Sequence, residues 1–205
     1  MNVRVAINGF GRIGRVFLRA AKARGAPIEI VAINDVGDPL TMAHLLRNDS
    51  VFGRFGEPVA AENGHLRIGA VRCPIFSEPE PATLPWREVG AQVVLESTGR
   101  FTKREQAQAH LDAGAEKVII SSPASDPDVT LVLGVNDEQY DYGRHRIISN
   151  ASCTTNCVAP VAKVLHDAFG IEPASWRRST PTRTISACSI NRTRTCAAPA
   201  PQGST

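Results

Sequence analysis

An α/β fold built on a doubly wound parallel sheet is what this chain predicts, and three observations carry the prediction. Short runs rich in Val and Ile alternate with amphipathic stretches of helical length along most of the sequence. The first run leads at once into Asn8-Gly9-Phe10-Gly11-Arg12-Ile13-Gly14, and the second closes on Asn34-Asp35. A third feature is a cysteine among small hydroxyl and amide residues, Ser149-Asn150-Ala151-Ser152-Cys153-Thr154-Thr155-Asn156-Cys157, where a strand pattern gives way to a helical one. With 205 residues and 42% hydrophobic content, the chain can bury a core for one domain or one and a half.

The elements follow in order. Residues 3–7 read as a strand, and the glycines after it divide the work of a phosphate-binding turn. Gly9 permits the tight bend, Gly11 lets the backbone approach a pyrophosphate, and Gly14 lets the next helix pack closely on the strand. That helix is predicted over 15–24 with Gly25 as its stop, and a second strand over 28–33. Asp35 stands 21 positions after Gly14, close to the interval at which an acid takes the ribose hydroxyls. The unit therefore predicts a Rossmann-type dinucleotide site. A carboxylate there repels a 2′-phosphate and so favours NAD over NADP, a preference that a nearby arginine would soften.

Asp38 and Pro39 open a helix that runs to residue 47, as N-cap and first helical position. Residues 67–71 and 73–76 are predicted as short strands, and 91–96 as a buried strand that ends in Ser97, Thr98 and Gly99. A helix over 103–113 stops at Gly114, and strands are expected over 117–123, 130–136 and 146–149. In such a sheet ligands lie across the C-terminal edge, where Gly9, Asp35, Ser97, Ser121 and Cys153 would meet. The five histidines, His44, His65, His110, His145 and His166, show no catalytic partner; most are expected to be exposed, and none is assigned as a base.

The apolar spacing of residues 158–165 makes a helix, with Pro160 in its first turns, so Cys153 falls near its N-terminus. Free N–H groups and the positive end of the helix dipole favour a thiolate there, and Ser152 and Thr154 can donate to an oxyanion or a phosphate. Cys157 lies one turn on, but no further ligands stand at zinc spacing, so no metal is expected.

No stretch approaches the roughly 20 apolar residues of a membrane span and no leader pattern precedes the first strand, so a soluble cytoplasmic protein is expected. Five irregularly spaced cysteines speak against a secreted disulfide framework. The net charge of +3 is unevenly placed: no acid follows Glu172, while Arg177, Arg178, Arg183, Arg192 and Arg194 do. Alone, such a tail suggests a nucleic-acid or membrane contact.

Taken together, the segments Asn8 to Gly14, Asn34-Asp35, Glu96-Ser97-Thr98-Gly99 and Ser149 to Asn156 closely resemble the glyceraldehyde-3-phosphate dehydrogenase family, from residue 2 to about Glu172. The resemblance implies an NAD-binding domain over 1–152, the first helix of a truncated catalytic domain over 153–173, and a cytoplasmic homotetramer for the full-length family. It also implies the chemistry. Cys153 attacks an aldehyde carbonyl, hydride passes to NAD, and inorganic phosphate releases the acyl group from the thioester. Ser152 and Thr154 would contact phosphate. Asn8, Gly9, Phe10, Gly11, Arg12 and Ile13 would line the cofactor's pyrophosphate, Asp35 its adenosine ribose, and Ser97, Thr98, Gly99 and Ser121 its middle. An erythrose-4-phosphate dehydrogenase relative and a non-catalytic NAD-binding module are the alternatives.

Two departures stand out. Pro79 occupies a position where the family commonly has an arginine at the adenine end, and Thr180 stands where the family has a histidine base. Residues 174–205, rich in Arg, Thr, Ser, Ala and Pro, leave the family pattern and are expected to be a non-native tail. Regrouping allowed GC-rich codons of residues 173–183 by one base spells Gly-Phe-Met-Ala-Thr-Val-His-Ala-Tyr-Thr, family-like words around the missing histidine. A one-base loss near Glu172 and Pro173 accounts for that tail, so its arginines are not expected to bind nucleic acid.

Overall fold

The computed structural model describes residues 2–171; the tail and Thr180 lie outside the described residues. In chain order the elements are β1 (Val3–Asn8), α1 (Arg12–Ala23), β2 (Ile28–Asn34), α2 (Pro39–Arg47), β3 (Asn48–Asp49) and β4 (Gly53–Arg54). Then come β5 (Val59–Glu62), β6 (His65–Ile68), β7 (Val71–Phe76), β8 (Val93–Glu96), α3 (Arg104–Asp112), β9 (Lys117–Ile120), β10 (Val129–Thr130), β11 (Ile147–Ser149) and α4 (Cys153–Phe169).

Nine strands form one sheet in the order β10-β11-β9-β8-β1-β2-β7-β6-β5, and β3 and β4 pair separately. From β10 to β7 every pairing is parallel. The run β7-β2-β1-β8-β9-β11 has the 3-2-1-4-5-6 order of a dinucleotide-binding sheet, reversing direction of growth between β1 and β8. One end differs from the expected all-parallel sheet: β5, β6 and β7 are antiparallel. The strand expected over 67–71 is broken by a turn in which Gly69 has φ +58° and donates its N–H to Pro58 O.

Alternation along β1 covers both faces of the sheet. Val5 and Ile7 pack with Leu18 of α1 and Leu46 of α2, whereas Ala6 packs with Val94, Trp86 and Leu84 on the opposite side. A third cluster seats Ala107 and Leu111 of α3 on Val118, Ile120 and Ile147. The strand expected over 130–136 shortens to Val129–Thr130. Asn136 takes over the backbone beyond it: its Oδ1 accepts from Val132 N at 2.8 Å and its Nδ2 donates to Thr130 O at 3.0 Å. Pro160 sits well inside α4 rather than in its first turns, and no residue of that helix is buried. Among the described residues, no helix is long and apolar enough to cross a membrane.

Candidate active site

The register of the sheet brings the motifs to one line. Phe76, Asn34, Asn8, Glu96, Ile120 and Ser149 are successive partners across six strands, so every parallel strand ends at the same level. Just past that level stand Asp35, Gly9, Ser97, Ser121 and, four residues beyond Ser149, Cys153. The expected convergence of these turns at the C-terminal edge is therefore a property of the register.

Between β1 and β8 the edge opens into a cavity of about 210 Å³ lined by Asn8, Gly9, Gly11, Asn34, Asp35, Ser97 and Thr98, with Val36, Glu78, Pro79, Arg100 and Phe101 completing its wall. A larger groove of about 520 Å³ between α1 and residues 52–57 touches no strand of the nine-stranded sheet and none of the motifs. The smaller cavity is the one at the switch point, where open α/β sheets bind ligands.

Each glycine of the turn has its own reason. Gly9 adopts φ +91°, and a Cβ on it would lie 2.6 Å from Thr98 N; a Cβ on Gly14 would overlap the Gly9 carbonyl. At Gly11 a Cβ would meet nothing within 4 Å. The protein's own packing thus demands Gly9 and Gly14, while the space at Gly11 is left for something else. Gly11 is the N-cap of α1 without a side-chain cap, and no acid stands in the first turn. The N–H groups there are free to receive an anion, a fit for a pyrophosphate. Behind the turn, Arg15 donates to Phe10 O at 2.8 Å. Burial, with Arg12 alongside, holds its guanidinium below the usual arginine value.

Asp35 is already oriented. Its Oδ2 accepts from Phe10 N at 2.6 Å and its Oδ1 from Gly37 N at 2.8 Å. The remaining lone pairs are available to ribose hydroxyls. Phe10 itself is buried in the core, so only its backbone belongs to the site. Arg12 pairs with Asp49 at 3.3 Å, and Ile13 is half exposed. The Ser97 hydroxyl donates to Gly9 O at 2.7 Å and ties the two loops together.

At the far end of the edge, Ser149 is buried and donates to Ser122 O at 3.1 Å. Ala151 follows in the left-handed region at φ +55°, a conformation that costs a non-glycine residue about 1–2 kcal/mol. This bend turns the chain from β11 into α4. Ser152 caps the helix, accepting from Thr155 N at 2.9 Å, so Cys153 is the first helical residue. Asn156 Nδ2 locks the bend by donating to Asn150 O at 2.8 Å and Ser152 O at 3.0 Å. Cys153 and Cys157 are both exposed, whereas Cys73 is buried and burial pushes its thiol up to about 12.

Sequence reading missed two groups here. Val36, Glu78, Arg100 and Phe101 line the cavity without belonging to any of the recognised motifs. His110, one of five histidines of which most were expected to be exposed, is fully buried against Glu96 and Trp86. The signal for it was the unpaired glutamate at the end of an apolar strand.

Comparison with known proteins bears on the same residues. The family described as glyceraldehyde 3-phosphate dehydrogenase, NAD binding domain, matches residues 3–104, and its C-terminal domain matches 152–200, reaching into the segment set apart by composition. Glyceraldehyde-3-phosphate dehydrogenase 1 of Streptomyces avermitilis is 62% identical over 172 residues, 84% of this chain and 52% of the relative. Glyceraldehyde-3-phosphate dehydrogenase 1 of Streptomyces arenae is 58% identical over the same shares of the two chains, and that of Geobacillus stearothermophilus 54% over 83% of this chain and 51% of its own. The chain spans about half the length of the curated relatives it matches. Both domain matches name one family and the cleft carries its dinucleotide-binding features, so this chain belongs to the glyceraldehyde-3-phosphate dehydrogenase family, and the cofactor of its N-terminal domain is NAD.

Proposed function

We propose that this chain carries the cofactor half and the nucleophile of an NAD-dependent, phosphorylating oxidation of glyceraldehyde 3-phosphate to 1,3-bisphosphoglycerate, a step of glycolysis. The single observation behind the reading is the register line that sets the Gly9–Gly11 turn, Asp35, Ser97 and Cys153 along one sheet edge. In this reading the Gly9–Ile13 backbone holds the pyrophosphate, Asp35 takes the adenosine ribose, and Ser97, Thr98, Gly99 and Ser121 contact the middle of the cofactor. When bound, the nicotinamide supplies the hydride acceptor. The Cys153 sulfur adds to the aldehyde carbonyl carbon and holds the acyl group as a thioester until inorganic phosphate displaces it. The free N–H groups of the first turn of α4 stabilise the thiolate, and Ser152 and Thr154 contact phosphate. A cytoplasmic setting and the family's homotetramer go with this assignment, and the division at residue 152 goes with the match of the C-terminal domain from that residue.

A second reading has a specific observation in its favour: Thr180 stands where the resemblance calls for a histidine base. Loss of a general base costs about 10²–10⁴ in rate, so NAD binding without appreciable turnover is the runner-up. The test titrates the full chain with NAD by calorimetry, then adds glyceraldehyde 3-phosphate and reads Cys153 by intact mass. Saturable NAD binding and an acyl adduct lost in Cys153→Ser support the enzyme reading. NAD binding with no adduct supports the second, and no saturable binding overturns both.

A further inference from the structure

Beneath the cavity lies a buried polar cluster that the chemistry above does not use. Asn8, Asn34, Glu96 and His110 are all buried, and with Trp86 they form one directional chain of hydrogen bonds. Its direction is fixed at the indole, which only donates. Trp86 Nε1 lies 2.9 Å from His110 Nδ1, so that nitrogen accepts. The proton of the imidazole is then on Nε2, 3.1 Å from Glu96 Oε2, and the histidine is neutral.

The same logic fixes the amides on the other side. Asn34 Oδ1 accepts from Glu78 N at 2.8 Å, and its Nδ2 donates to Glu78 O at 2.9 Å and to Asn8 Oδ1 at 2.7 Å. The Asn8 amide is thereby oriented with Nδ2 toward Glu96 Oε2, at 2.6 Å. Glu96 Oε1 accepts from Thr98 N at 2.8 Å and from Thr98 Oγ1 at 2.5 Å. Four donors thus converge on one carboxylate, two on each oxygen. Three of them come from Asn8 and Thr98, which line the cavity, and Asn34 and Glu78 line it as well. Phe101, also in the wall, packs edge-on against the His110 ring at 6.5 Å.

We propose that Glu96 is the positioning residue of the cofactor cleft: an acceptor hub, oriented from below by Trp86 and His110, that fixes the Asn8 turn and the Thr98 loop between which the dinucleotide binds. The inference rests on the assignment of NAD to this cleft. Its logic is geometric. A glutamine at 96 has the shape of the glutamate, but its amide nitrogen must face either the two fixed donors of Asn8 and His110 or, turned over, the backbone N–H of Thr98, where only the Thr98 hydroxyl can reverse to accept. Neither Asn8 nor His110 can reverse to accommodate it without breaking the bond to Asn34 or to Trp86.

The experiment measures NAD affinity by calorimetry for the full chain, Glu96→Gln and Trp86→Phe, well below the unfolding midpoint of each. The Thr98 amide proton is followed by NMR. Glu96→Gln is expected to bind NAD at least about tenfold more weakly, with the Thr98 amide resonance moving upfield as its carboxylate acceptor is lost. Trp86→Phe, which never reaches the cavity, is expected to weaken binding about threefold by freeing the imidazole. Folded Glu96→Gln with unchanged affinity overturns the positioning role, whatever its stability. Should that variant not fold, unchanged affinity in Trp86→Phe overturns it instead. A wild-type chain without saturable NAD binding overturns the cofactor assignment, and this inference with it.

Discussion

The cofactor edge and the cysteine helix sit along the same sheet, yet they are built by opposite means. At the edge, the functional side chains are tied both across elements and locally: Asp35 to Phe10 and Ser97 to Gly9 across strands, Asp35 to Gly37 and Thr98 to Glu96 within their own turns. The first turn of helix α4 is fixed by Ser152 and Asn156, and beyond it Val161, Val164 and Phe169 stay 60%, 67% and 82% exposed. The first region is finished by contacts within the chain. The second is a nucleophile on a well-anchored turn whose apolar side contributes nothing to the present core. Cofactor geometry and nucleophile geometry are thus independent products of this fold.

Thiol chemistry offers the sharpest way to break that comparison. At pH 8 a thiol pushed up to about 12 is thiolate at only about one part in 10⁴, and Cys73 is also shielded. Iodoacetamide is expected to label Cys153 and Cys157 at least about 1,000 times faster than Cys73, read by peptide mass spectrometry. Comparable labelling of Cys73 in the native chain would mean that the sheet side is as open as the helix. Core truncation comes next in size. Leu18→Ala, at a fully buried position of α1, should cost about 2–5 kcal/mol, whereas Leu165→Ala, 45% exposed in α4, should stay within about 0.5 kcal/mol. Urea unfolding of the two variants measures the contrast, and similar losses would show α4 to be part of the cooperative core.

The smallest effect concerns the junction between the regions. Asp128 accepts from Arg146 N and Ile147 N, each at 2.8 Å, and pairs with Arg104 at 2.6 Å. Burial alone raises its carboxyl, but the two N–H donors and Arg104 outweigh it and hold the group below the usual carboxylate value. Its contribution is therefore complete above about pH 4 and is lost as the pH falls through the folded-state value. Asp128→Asn should lower stability at pH 7 by about 1 kcal/mol, and the gap from wild type should close as the pH falls through the lowered folded-state value. A gap that persists in acid would assign the effect to shape rather than charge.

How much of this the sequence disclosed depends on the distance between partners. The run from Val3 to Asp35 is local: strand, glycines, helix and acid follow without interruption, and the structure keeps both strands to within one residue but starts the helix at Arg12, three residues before the expected 15, so that Gly14 lies inside it. Asp38 as the cap of α2 was equally plain, because its acceptor serves Thr41 N three residues on. The stretch 130–136 misled because its apolar run Leu131-Val132-Leu133 is real, while the side chains of Asn136 and Asp137 claim the backbone groups a strand needs. The antiparallel end was hidden in strands of four to six residues separated by single turns. The buried cluster was least visible of all: Glu96 lies 88 residues from Asn8 and His110 lies 24 from Trp86, so no window of sequence contains the network.

The strand order also sets a schedule for synthesis. Because β1 is central and precedes the other strands of this sheet, it emerges before them, pairs with β2, and later meets β8, β9 and β11, presented one after another to the opposite edge. At translation rates of about 5–20 residues per second, each of those strands meets an edge that already exists. By the time Ser149 leaves the ribosome, the last partner needed for the register line is in place, and the cysteine turn is laid on a finished sheet.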